Sequence, residues 1–138
     1  MSEKKDQIGE MTARDVLLVV DVQKDLCEGG MLAVPGAEEV MGLINRLQDL
    51  FATVVLSRDW HPANHVSFSA EPKYANGSWP RHCVAGTPGA AFHGQLNVPL
   101  YARVISKGTK RDRDSGSVFE ECPDFNLKRN APLFLTAR

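Results

Sequence analysis

Asp15–Val16–Leu17–Leu18–Val19–Val20–Asp21 is an unbroken apolar run with an acid at each end. It is too short for a typical helix and rich in Val and Leu. It reads as a strand buried on both faces, as in a parallel sheet. Residues 23–36 contain Gly29–Gly30 and Pro35 and read as a loop over the carboxyl end of that strand. From Ala37 to Phe51 the apolar positions Val40, Leu43, Ile44, Leu47 and Leu50 recur at helical spacing. Glu38 and Glu39 stand in the first turn, where negative charge suits the helix dipole. Thr53–Val54–Val55–Leu56–Ser57 is a second strand. Strand, helix and strand within about forty residues make a βαβ unit with a right-handed crossover. The expected fold class is α/β, a parallel sheet with flanking helices.

Residues 59–94 are dense in Gly, Pro, Asn, Ser and His. Their aromatic residues (Trp60, Phe68, Tyr74, Trp79, Phe92) predict an ordered, packed loop region. Leu100 to Ser106 reads as a third strand ending at Lys107–Gly108, followed by a solvated charged run to Asp114. Ser117 to Lys128 reads as a poor helix broken at Pro123. Leu133–Phe134–Leu135–Thr136 would open a fourth strand.

The chain has 138 residues and reads as a single domain, with residues 1–13 as a flexible lead-in. A net charge of −1 gives no reason to expect nucleic acid or an acidic membrane as partner. No apolar run reaches the length of a membrane span. Three cysteines at irregular spacing argue against a disulfide framework and for a reducing, cytoplasmic setting.

Ligands of open parallel sheets bind outside the carboxyl ends of the strands. Asp21 follows the first strand, Asp59 and His61 the second, and Lys107 the third, so Asp21 and Lys107 are expected to face one crevice with the metal-type group beside it. Ser57–Arg58–Asp59–Trp60–His61–Pro62 is answered by Trp79–Pro80–Arg81–His82–Cys83 from a second loop. Asp59, His61 and His82 supply one carboxylate and two imidazoles, the donor set of an open metal site. Two nitrogens and one oxygen suit zinc, iron or manganese alike. His65 reads as solvated rather than as a ligand. Asp21 reads either as a strand-end cap or as a general base beside Lys107, which would keep it ionised or share a proton with it. Lys107 reads equally as the first residue of an exposed run. Trp79 is either core or a wall for a planar substrate. Gly29–Gly30 lacks the spacing of a dinucleotide site.

A nucleophilic cysteine gains from a helix N-terminus or a cationic neighbour. None of Cys27, Cys83 and Cys122 stands after a strand at a helix start. Cys83 adjoins His82 and is expected to pack beneath the site.

These segments together resemble the nicotinamidase branch of the isochorismatase-like cysteine hydrolases. The likeness runs through residues 19–32, 57–68, 79–84 with 86–90, and 106–109, motifs in the family's order over residues 15–109. It implies a doubly wound three-layer α/β sandwich that lacks its C-terminal elements here. It also implies hydrolysis of nicotinamide to nicotinate and ammonia, in pyridine nucleotide salvage. By the same resemblance Asp21 is the general base, Lys107 its triad lysine, and Asp59, His61 and His82 the ligands of zinc or another divalent ion. Trp79 walls the pyridine pocket, and Leu26 stands where the family often carries Phe. In the family mechanism a Cys thiolate attacks the amide carbonyl and ammonia leaves with a proton from the Asp. Water then cleaves the thioester, and the metal orients the substrate through its ring nitrogen.

The family's nucleophile lies in a Gly-Leu-Ala-Thr-Asp-Tyr-Cys-Val type segment beyond the fourth strand. No stretch of this sequence matches it, so the nucleophile is unassigned and the chain reads as truncated before it. The segment from Asp112 to Phe119 matches the family's Tyr-Ser-x-Phe only loosely. Three functions follow: an amidohydrolase, a non-catalytic metal- and pyridine-binding remnant or interaction module, or a hydrolase using metal-bound water. An uncovered sheet edge would bring oligomerisation, a rearranged C-terminus or marginal stability.

Overall fold

The computed structural model describes residues 11–121 and the strand at 133–136. The two apolar runs flanking the first loop and helix lie side by side. Strand β1 (Val16–Val20) pairs in parallel with β2 (Thr53–Asp59), Val16 opposite Thr53 and Val20 opposite Ser57. Strand β3 (Arg103–Lys107) pairs in parallel with the other edge of β2, and β4 (Leu133–Thr136) with the other edge of β1. The order is β3-β2-β1-β4. The expected parallel α/β sheet is therefore present, and the fourth apolar run pairs as a strand.

Both sheet faces are apolar because alternate residues of β1 and β2 are. Leu17, Val19, Val54 and Leu56 pack on one face with Met41 and Ile44 of helix α1 (Met41–Gln48). Val16, Leu18 and Val55 pack on the other with Val118 of the short helix α2 (Val118–Glu121). The helical span differs from the expected Ala37–Phe51. Residues Ala37–Val40 form a 3-10 turn, with Gly36 in the left-handed region before it and no side-chain cap. At the other end Leu50 and Phe51 bond back three residues, to Leu47 and Gln48, as the chain turns toward β2. Leu43 and Leu50 of the apolar pattern consequently face solvent.

Strand limits also move. Asp59 is the last residue of β2 rather than a loop residue beyond it, because the ladder to β3 runs on until Asp59 stands opposite Lys107. Strand β3 begins at Arg103. Residues 99–102 instead form a turn closed by the Ala102 N–H on the Pro99 carbonyl, and Leu100 is fully exposed. Only Val118–Glu121 of the expected helix over 117–128 is described as helix, and residues 122–128 lie outside the described residues. Of the lead-in, residues 11–13 are described, and Thr12 donates its N–H to the Asp15 carboxylate.

The long segment between β2 and β3 is ordered by backbone pairing. His61 N–H bonds the Cys83 carbonyl at 2.9 Å and Ala85 N–H returns to the His61 carbonyl at 2.8 Å. Ser67 and Ser69 exchange bonds with Trp79 in the same way. These two short pairings carry the loops over the carboxyl edge of the sheet.

Candidate active site

Asp21 leaves β1 with φ at +55°, in the left-handed region that a non-glycine residue adopts at a cost. That turn brings its carboxylate back over the strand end. There Ser57 donates its hydroxyl to Asp21 Oδ1 at 2.8 Å. Lys107, at the end of β3, reaches across β2 and places Nζ 2.9 Å from Asp21 Oδ2. The same amine bonds Asp59 Oδ1. Asp21, Asp59 and Lys107 are all about 99% or 98% buried, so one cation is shared between two carboxylates away from water.

The other oxygen of Asp59 faces the imidazoles. Oδ2 lies 3.6 Å from His61 Nε2 and 3.8 Å from His82 Nε2. Each ring is turned by a backbone carbonyl at its far nitrogen: His61 Nδ1 bonds Gly108 O at 2.8 Å and His82 Nδ1 bonds Pro80 O at 2.7 Å. A carbonyl accepts only, so both Nδ1 atoms carry hydrogen and both Nε2 lone pairs point at the same place. Donors held about 2.1 Å from a tetrahedral ion stand about 3.4 Å apart, close to the spacings here. The three donor atoms lie within 4.8 Å of one another. Asp59, His61 and His82 thus fit a divalent metal ion.

Electrostatics agree with this placement. Burial would raise the Asp59 pKa, but the bonds to His61 and His82 and the Lys107 charge outweigh it and hold the carboxyl well below the usual range. Burial would lower the Lys107 pKa, but Asp59 and Asp21 beside it keep it above the ordinary value. His61 is likewise raised against its burial, through Asp59 and the Gly108 carbonyl.

A pocket of about 120 Å³ opens over the triad. Trp79 and Ser67 wall one part of it, and Asp114, Ser115 and Gly116 another. Trp79 thus lines the pocket, with Tyr74 edge-on to it at 5.3 Å. Leu26 is not brought to this pocket. It is fully buried in a small cluster with Cys83 and Ala90, because the turn over residues 24–26 faces it inward.

His65, expected in solvent, is 3% exposed. Its Nδ1 meets Ser67 Oγ at 2.7 Å, its Nε2 meets Arg113 O at 3.2 Å, and its ring lies 4.4 Å from that of His61. The run after Lys107 folds over it, as the Val66 N–H bond to Arg111 O also shows. Lys107 itself is buried rather than the start of the solvated run, while residues 109–114 are exposed.

Gln23, Ser57 and Gly108 are site residues that the sequence pattern alone leaves unmarked. Gln23 and Ser57 are polar positions next to apolar runs, the one available signal. Gly108 carries φ +63°, and a Cβ there would stand 2.4 Å from His61 Cε1. Cys27 and Cys83 are both buried free thiols. Burial, with Glu38 nearby, raises the Cys27 pKa. Burial, with Asp59, Asp25 and Asp21 nearby, raises that of Cys83. Burial and a raised pKa both work against activation of either thiol, and Cys122 lies outside the described residues.

Fold and site together define a parallel α/β protein with an Asp-His-His cluster able to hold a metal ion and a buried acid–lysine pair at the carboxyl edge of its sheet. The chain belongs to the isochorismatase family, whose domain model matches residues 15–111. It is 41% identical over 117 residues to a nicotinamidase of Acinetobacter baylyi, covering 76% of this chain and 55% of that one. Its structure is similar to that of the pyrazinamidase of Pyrococcus horikoshii in complex with zinc. That likeness has a TM-score of 0.74 and 35% identity, over 89% of this chain and 70% of that one. A protein from L. infantum solved in complex with nicotinate is also similar, with a TM-score of 0.67 and 39% identity over 78% of this chain and 54% of that one. The chain spans about half the length of the curated relatives it matches. Among the described residues no helix is long and apolar enough to cross a membrane.

Proposed function

We propose that this chain carries the metal and substrate half of a nicotinamidase-type amidohydrolase, which converts nicotinamide and water to nicotinate and ammonia in pyridine nucleotide salvage. The observation that carries the reading is the Lys107 amine held between Asp21 and Asp59, beside two imidazoles aimed at one point under a Trp-walled pocket. Nicotinamidases among its relatives and the nicotinate complex of a similar structure support a small pyridine amide as substrate.

In this reading Trp79 stacks on the pyridine ring, and Leu26 shapes the site from beneath through its contact with Cys83. Asp21 takes the proton of the attacking group and returns it to the departing ammonia. Lys107 holds the Asp21 carboxylate in place and balances its charge as the proton moves. Asp59, His61 and His82 hold a divalent ion, zinc first and iron or manganese as alternatives. When bound, that ion supplies a Lewis-acid anchor for the ring nitrogen. The expected setting is the cytoplasm, and the expected assembly a homo-oligomer.

A second reading, in which the chain binds metal and pyridine without turnover, is favoured by the burial of Cys27 and Cys83. Ammonia release from nicotinamide by the full chain separates the two. Release that is abolished by thiol alkylation supports the cysteine route. Release abolished by chelation but indifferent to alkylation means metal-bound water. Tryptophan quenching by nicotinamide without release supports the binding-only reading. Neither release nor quenching would sink both.

A further inference from the structure

Two segments carry the metal-type donors: the end of β2 with Asp59, and the loop with His82. Both are gripped from the short segment after β1, by Gln23 and Asp25. Gln23 is fully buried, and its side chain spends its hydrogen bonds on backbone. Oε1 accepts from the Asp59 N–H at 2.8 Å, and Nε2 donates to the Asp59 carbonyl and the Ala90 carbonyl, both at 2.8 Å. Strand β1 has ended by then and the chain has turned away at Asp21. The Gln23 amide thus stands in for the missing strand neighbour of Asp59.

Two residues on, Asp25 Oδ2 accepts the Cys83 N–H at 2.8 Å. Cys83 has φ +46°, a left-handed conformation that a side chain resists. That turn follows His82 directly, and Asp25 anchors it at the Cys83 N–H. Gly89 leaves room for this contact: a Cβ there would stand 2.1 Å from Asp25 Oδ2.

We propose that Gln23 and Asp25 are a pair of positioning residues, one fixing the Asp59 ligand and the other the His82 ligand, so that metal affinity is set by side chains that never touch the metal. The proposal rests on the reading of Asp59, His61 and His82 as a metal centre. Polar partners behind metal ligands typically change affinity by about 10–100-fold when removed.

The test is zinc affinity of the full chain, by competition with a chromogenic chelator, together with the visible spectrum of the cobalt-substituted protein. Gln23→Met keeps volume and loses all three bonds. Asp25→Asn turns one accepting oxygen into a donor. Ile44→Val, on the buried face of α1, is the control for general loss of stability. Gln23→Met and Asp25→Asn are expected to lose about 10–100-fold in zinc affinity and to shift the cobalt bands, while Ile44→Val changes neither. If Gln23→Met fails to fold, Asp25→Asn and Gly89→Ala carry the test, since the added methyl displaces the Asp25 carboxylate. Affinities within twofold of the parent with unchanged cobalt bands overturn the proposal. So does a loss in Ile44→Val that matches its fall in melting temperature. A parent chain that binds no zinc overturns the metal-centre reading itself, a result distinct from either.

Discussion

Lys107 and Asp21 meet at 2.9 Å although their strands are not neighbours, because β2 lies between β1 and β3. The lysine stem crosses the end of β2 to make that contact, and it touches Asp59 on the way. One amine thereby fixes the relative placement of the Asp21 and Asp59 carboxylates.

Removing that amine leaves two buried carboxylates facing each other. Lys107→Met is expected to lose about 3–5 kcal/mol of stability, the usual cost of a buried charge left without its partner. Urea denaturation of the two proteins measures it. A loss under about 1 kcal/mol would mean that the pair is solvated and loose, which a buried side chain 1% exposed does not allow.

Chelation should destabilise the protein. A ligand that binds only the folded state contributes about 2.7 kcal/mol at a hundred times its dissociation constant. The melting temperature is expected to fall on chelator treatment and to recover with zinc. His61→Ala and His82→Ala are expected to lose that response. Affinity should also weaken in acid, since protons compete for the same imidazole and carboxylate donors. A melting temperature indifferent to chelator, zinc and both substitutions contradicts the metal centre.

Gly108→Ala tests the close approach behind His61. The left-handed backbone alone costs an alanine about 1–2 kcal/mol, and the methyl would stand 2.4 Å from the ring. The expected outcome is a lower melting temperature together with weaker zinc binding, because the ring must move. An alanine variant that binds zinc like the parent would show that His61 tolerates displacement.

The buried thiols give a pH-dependent readout. The Cys27 pKa is raised by burial, so less thiolate is present in the folded than in the unfolded chain at any pH near 9. Folded Cys27 therefore keeps its proton while the unfolded chain loses it, and this small contribution to stability is lost as pH rises through the raised value. Site-resolved alkylation at pH 8 should leave Cys27 and Cys83 largely unmodified in the native protein and label both in urea. Native labelling as fast as in urea would reopen either as the nucleophile.

Much of this protein is legible from local pattern. Val16–Val20 and Thr53–Leu56 are apolar on both faces, and the polar residue that ends each strand of a parallel sheet must stand at its carboxyl edge. Asp21, Asp59 and Lys107 converge there for that reason alone, and His61 follows from its spacing to Asp59. His82 was readable as the second imidazole of an open metal donor set, supplied by the later Trp79–Cys83 loop. What local pattern could not supply depends on residues far apart in the chain. Ser57 meets Asp21 and Gln23 meets Asp59 across 36 residues, and Asp25 meets Cys83 across 58. Neither partner of such a bond leaves a periodic mark. His65 is buried among His61, Phe68 and the backbone of Arg113, and Leu26 turns inward with its 3-10 turn. The sequence by itself thus determined which side chains stand at the carboxyl edge, because strand polarity and period are local. Only the tertiary structure decided how they are aimed, because that depends on hydrogen bonds between segments brought together by folding.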